Sequence, residues 1–146
     1  MNKAIVLAGS RGIGKGIADS IESMNNGLRW PKWEVIRTST NEVDTSNLNT
    51  VKTFIDENPH TDILVLNTGG PPAQKFNDIT KQDCEKYHNQ LFYSFFNMLQ
   101  NIKINDGGYI FLVSSFNIKE PSEKLMLSNA YRVAFTSVLK CLSKEF

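Results

Sequence analysis

The chain has 146 residues, 40% of them hydrophobic, with sixteen Lys and Arg against fifteen Asp and Glu. That length fits a single domain, residues 1–146, able to bury a core without a metal or disulfide staple. A net charge of +1 lacks the basic excess of a general nucleic-acid binder, so no nucleic-acid partner is expected.

The two cysteines, Cys84 and Cys141, stand far apart with no Cys-x-x-Cys pair and no His cluster nearby. They point to reduced thiols rather than to zinc or a secreted disulfide framework. Lys3 precedes the apolar run Ala4–Ala8, which is too short for an export signal. No segment reaches the roughly 20 apolar residues that span a bilayer. The expectation is a soluble cytoplasmic protein with no bound metal and no membrane partner.

Short apolar runs alternate with longer amphipathic ones, the pattern of βαβ units around a parallel sheet. Ala4–Leu7 reads as a buried first strand, followed by a helix over Gly14–Met24 that buries Ile17, Ala18 and Ile21. Trp33–Arg37 reads as the second strand, and Leu48–Glu57 as the next helix. The segment Thr38–Asn47 between them is too short for a crossover helix, so Glu42-Val43-Asp44 is either a vestigial third strand or a loop. Strands at Ile63–Leu66 and Tyr109–Val113 follow, with helices over Lys81–Ile102 and from Leu125 to the end.

The most informative segment is Ala8-Gly9-Ser10-Arg11-Gly12-Ile13-Gly14-Lys15-Gly16, placed after a strand and opening a helix. Backbone N–H groups and a helix dipole at such a turn face a phosphate, and small residues let it approach. Gly9–Lys15 fits the first seven positions of the P-loop pattern. The eighth is Gly16, so the hydroxyl that would hold Mg²⁺ is missing. The later strand ends carry Asn67 and Ser114-Ser115 where a nucleotide hydrolase wants an acid. The P-loop reading therefore fails twice, which leaves a dinucleotide site or a tight turn without a ligand.

Here the sequence resembles the short-chain dehydrogenase/reductase family. Ser10-Arg11-Gly12-Ile13-Gly14 matches the latter part of that family's T-G-x-x-x-G-x-G loop. Val43-Asp44 resembles its D-V-T-D segment, Asn67-Thr68-Gly69-Gly70 its N-N-A-G, and Val113-Ser114-Ser115 its I-S-S strand end. The resemblance implies a Rossmann-like, doubly wound α/β fold and a nicotinamide dinucleotide held by Gly9 to Gly14, Asp44, Asn67, Gly69 and Gly70. It implies that Asp44 meets the adenine amino group and Ser115 orients a small-molecule substrate, an alcohol or carbonyl compound of unspecified identity.

The departures bear on catalysis. The first loop glycine falls at Ala8, and the asparagine of the long helix falls at Leu91, with Asn89 near. The family's Y-x-x-x-K pair aligns with Ser128 and Arg132. An alkyl alcohol is a far poorer proton donor than an activated phenol, and arginine stays protonated. Tyr131 stands one turn beyond Ser128 and either reaches the cleft as a substitute acid or packs against the sheet. Family members continue past the helix that follows the fifth strand, where this chain stops, so a truncated or minimal member is expected. It would keep the adenosine half of the cofactor site. The alternative is a catalytically inactive nucleotide-binding or assembly module.

No acidic residue occupies Arg37–Asn41, and Arg11 and Arg37 lie nearby; both features favour NADP(H) over NAD(H). The Lys81 helix carries Leu91, Phe92, Tyr93, Phe95, Phe96, Met98 and Leu99, more than one apolar face. A homo-oligomer is expected from that width and from the resemblance.

Overall fold

A computed structural model describes residues 1–146. Four parallel strands, β1 (Asn2–Val6), β2 (Trp33–Arg37), β3 (His60–Leu66) and β4 (Lys103–Leu112), form one sheet in the order β2-β1-β3-β4. Helix α1 (Gly12–Ser23) joins β1 to β2, and α2 (Leu48–Glu57) joins β2 to β3. Between β3 and β4 runs α3 (Lys81–His88), which continues through a π turn at Asn89–Tyr93 into α4 (Ser94–Asn101). Helix α5 (Met126–Leu142) follows β4.

Alternation along the strands sorts side chains onto two faces, as the two-residue period of a strand requires. Ile5, Leu7, Leu64 and Leu66 pack with Val51 and Phe54 of α2, Phe95 and Met98 of α4, and Phe135 of α5. Ala4, Val6 and Val65 pack on the other face against Ala18 and Ile21 of α1. Parallel strands need such covering helices on both faces, and the doubly wound α/β class follows directly. Only α1 covers the second face. Tyr109 and Phe111 of β4 are there more than half exposed and stack on each other at 6.0 Å.

Glu42–Asp44 settles as a loop, so β2 is an edge strand. The Lys81 helix extends as the sequence indicates, and its broad apolar surface has an intramolecular explanation. Phe135 of α5 meets Phe92 and Phe95 edge-on, at 6.0 and 5.4 Å, so α5 covers part of the face that suggested an oligomer.

β4 begins earlier than its apolar run. His60 and Thr61 pair with Lys103 and Ile104, but Ile63 pairs with Tyr109, and the surplus residues bulge outward. Gly107 there has φ of 78°, and a methyl group on Gly108 would lie 2.4 Å from the Asp62 carbonyl oxygen. Asp62 ties the bulge down by accepting from Lys3 N at 2.7 Å and Asn105 Nδ2 at 2.9 Å. Those bonds, the Lys3 one foremost, hold its carboxyl below the usual range. A depressed folded-state pKa adds stability above the unfolded value of about 3.9, lost as pH falls through the folded value. Denaturant melts should therefore show the deficit of Asp62→Asn near neutrality shrinking below about pH 4.

Candidate functional site

In parallel strands every carboxyl end points to one edge, and the space where strand order reverses, here between β1 and β3, is the natural crevice. A cleft of about 570 Å³ opens at that edge. The β1–α1 turn, the segment Thr38–Thr40 after β2, Asp44 and Thr45, and Asn67–Gly69 after β3 line it.

The turn is held by close backbone contacts. Ala8 takes φ of 50°, a left-handed conformation that glycine adopts freely and alanine does at a cost of about 1 kcal/mol. Its N–H donates to the Thr38 hydroxyl at 3.2 Å. Its carbonyl oxygen comes so near α1 that a Cβ on Gly14 would lie 2.1 Å from it and 2.8 Å from Asn67 Nδ2. Gly12 has φ of 60°.

Arg11 stands at the N-cap of α1 without a side-chain capping bond, and the first turn of α1 holds no acid. By contrast, Asn47 caps α2, and Thr80 with Asp83 forms a reciprocal capping box on α3. The leading N–H groups of α1 have no intrahelical acceptor by helix geometry, and they open with the dipole's positive end onto the cleft. A phosphate group satisfies both.

Asp44 uses one carboxylate oxygen to accept from Ser46 N and Oγ, at 2.9 and 2.7 Å, and makes no bond through Oδ2. Thr45 and Thr68 hydroxyls meet at 2.8 Å and tie that loop to the end of β3. Gln90 Nε2 donates to the Gly69 carbonyl at 2.6 Å from inside the π turn and lines the cleft. Sequence counting pointed instead to Leu91, which is buried in the core. The π turn adds a residue to the helical register and displaces any count made along it. Thr38, Ser39 and Thr40 were overlooked because hydroxyls after a strand carry no motif of their own.

Arg37 is spent elsewhere. Its guanidinium pairs with Asp19 at 2.6 Å and Glu22 at 2.7 Å of α1, bonds that raise its pKa, Glu22 contributing most. Glu42, one residue past the acid-free window, folds back to accept from Ser39 N at 2.7 Å and from the Ser39 hydroxyl. Those two bonds hold its carboxyl below the usual range. Arg11 is the exposed cation left at the cleft.

Of the catalytic candidates, Ser128 and Arg132 meet each other, while Ser115 and Tyr131 each bond to backbone of their own surroundings. Ser115 caps a short 3₁₀ turn by accepting from Asn117 N at 3.2 Å. Ser128 is buried and accepts from Arg132 Nε at 3.0 Å, and both lie against Gly70. Tyr131 turns onto α3, donates to the Cys84 carbonyl at 2.9 Å and packs edge-on against His88. Burial first, then the Cys84 thiol, push its phenol pKa up, away from the activation proton transfer requires. It packs on a helix, and not on the sheet.

No group of His, Cys, Asp and Glu is arranged to hold a metal, and no helix is long and apolar enough to cross a membrane.

No family model matches the chain, and no curated protein does. Solved structures match over 99% of its length. A small-chain dehydrogenase superposes with a TM-score of 0.81 at 22% identity, 76% of that chain being covered. A small-chain dehydrogenase in complex with NADPH gives 0.79 at 21% identity, with 64% covered. A 3-oxoacyl (acyl-carrier-protein) reductase from Agrobacterium tumefaciens C58 with NADP bound gives 0.78 at 18% identity, also with 64% covered. The chain has the Rossmann-like fold of the short-chain dehydrogenases/reductases and spans 64 to 76% of the length of these three.

Two substitutions check this geometry. Ala8→Gly releases the left-handed strain and should raise stability by roughly 0.5–1 kcal/mol, read by denaturant melts. Tyr131→Phe should lower stability by about 1 kcal/mol for the lost bond and leave dinucleotide titrations unchanged.

Proposed function

We propose that the chain is a short-chain dehydrogenase/reductase-like protein that binds a nicotinamide dinucleotide in the cleft, NADP(H) in preference to NAD(H). The observation that carries the reading is the uncapped amino end of α1, brought against β1 by Gly14 and opening onto the carboxyl ends of the strands. The residues fit the group: Gly14 lets the helix start close on the Ala8 carbonyl and Asn67, and the first-turn N–H groups supply donors without a competing acid.

Within the reading, Gly9, Ser10, Gly12, Ile13 and Gly14 line or shape the pyrophosphate seat, and the free Oδ2 of Asp44 accepts from the adenine amine. Asn67, Gly69 and Gly70 border the ribose further along. Arg11 and the hydroxyls of Ser39 and Thr40 meet a 2′-phosphate, and Glu42 opposes it. A bound nicotinamide would supply hydride exchange with a carbonyl or alcohol carbon. This chain's own contribution to that exchange would be orientation by Ser115 and positive charge from Arg132. NADPH and NADP in similarly folded proteins support the choice of cofactor.

A second reading, a nucleotide-binding or assembly module without catalysis, is favoured by one observation. The phenol nearest the family position, Tyr131, is committed to the Cys84 carbonyl, and a buried Ser128 stands in its place. On that reading self-association into a homo-oligomer would carry the role, and the exposed Tyr109–Phe111 pair is apolar surface for it.

Calorimetric titration with NADPH, NADH and ATP·Mg²⁺ tests the proposal. NADPH should bind with micromolar affinity and ATP·Mg²⁺ weakly; no heat with either dinucleotide would overturn it. Arg11→Ala should weaken NADPH by about ten- to a hundredfold while changing NADH little, since one charge-assisted bond is worth roughly 1.5–3 kcal/mol.

A further inference from the structure

Arg132 is a half-buried cation without a counter-charge. No carboxylate lies within salt-bridge distance of it, whereas Arg37 has two. Burial lowers its pKa, yet an arginine remains protonated in water near neutrality. Its Nε–H donates to Ser128 Oγ one helical turn earlier, at 3.0 Å, which sets the plane of the guanidinium. Its Nη groups donate to no protein acceptor. Ser128 is buried, accepts that bond and donates none, so its O–H is also unspent.

Gly70, exposed and without a side chain, lies beside the pair: a Cβ there would stand 3.3 Å from Arg132 Nη2 and 3.6 Å from Ser128 Oγ. A partly desolvated charge with spare donors is stabilised by an anion that accepts from them. Arginine suits such an anion best, because its planar fork matches an oxyanion with two parallel bonds.

We propose that Ser128 and Arg132 form a receptor for an oxyanion, a carboxylate or phosphate carried by a ligand other than the dinucleotide. The site lies against Gly70, next in sequence to the Gly69 that lines the cleft, and Ser128 and Arg132 are not among that cleft's lining. It gives the substrate an acidic group, and it rests on the dinucleotide reading only in calling that ligand a substrate. No covalent step is involved; Ser128 and Arg132 hold charge and move no proton.

The test follows the Arg132 Nε–Hε signal in ¹⁵N spectra of the full chain. Sodium succinate and inorganic phosphate are titrated separately at constant ionic strength, with chloride as control. A saturable shift with succinate names a carboxylic ligand and one with phosphate a phosphorylated ligand; either supports the proposal. A response no different from that to chloride overturns it.

Ser128→Ala and Arg132→Lys should each weaken the bound anion by about tenfold with the thermal midpoint little changed, one for a lost donor and the other for a lost fork. Unchanged anion affinity in both variants would overturn the assignment. NADPH is added last. If it displaces the anion competitively, the site belongs to the cofactor and the proposal falls. If anion binding persists unaltered in its presence, the proposal stands, whether or not calorimetry detects NADPH; absence of NADPH heat defeats only the dinucleotide reading.

Discussion

Everything at the cleft depends on how near the carbonyl of Ala8 comes to the first turn of α1. A Cβ on Gly14 would sit 2.1 Å from that oxygen, far inside any non-bonded contact, so the approach exists only because Gly14 has none. At the same approach Ala8 takes a left-handed conformation and Asn67 lies beside the helix start. A helix brought so close, without a capping side chain, turns its leading N–H groups toward the carboxyl edge of the sheet. The turn is thus a backbone device, and the side chains around it refine what it holds.

The two halves of the chain's edge differ in how fully they are built. After β1, β2 and β3, small and hydroxylated residues converge on one cleft, with Thr45 and Thr68 fastening its floor. After β4, Ser115 serves a local turn, Tyr131 serves the contact between α3 and α5, and Arg132 waits with Ser128 against Gly70. A proton relay needs a phenol of lowered pKa within reach; burial moves Tyr131 the other way. Charge binding needs a fixed cation, and the bond to Ser128 fixes Arg132.

Much of the fold was legible because strand and helix periods differ and each element obeys one. The buried strand at Ala4–Val6, the helix that follows and the long Lys81 helix all announce themselves by spacing. The glycine turn was legible for the same reason that it works, since small residues at fixed offsets have few other uses. What sequence could not show depends on three-dimensional registers. The π turn moves Gln90, and not residue 91, to Gly69. The bulge before Tyr109 extends β4 through residues with no strand pattern. Arg37 reads as a free cation until α1 is seen to carry Asp19 and Glu22 beside it, and Glu42 reads as remote until its loop closes on Ser39. A partner reached across the fold leaves no mark at the residue it satisfies.

The central claim is that the open amino end of α1 receives a dinucleotide phosphate. Backbone amide spectra of the ¹⁵N-labelled chain, recorded with and without NADPH, test it most directly. The account predicts that the Gly12, Ile13 and Gly14 amides show the largest shifts, saturating together with those of Thr38 and Asn67. Binding that leaves these amides unmoved, or shifts confined to residues outside the cleft, would contradict it.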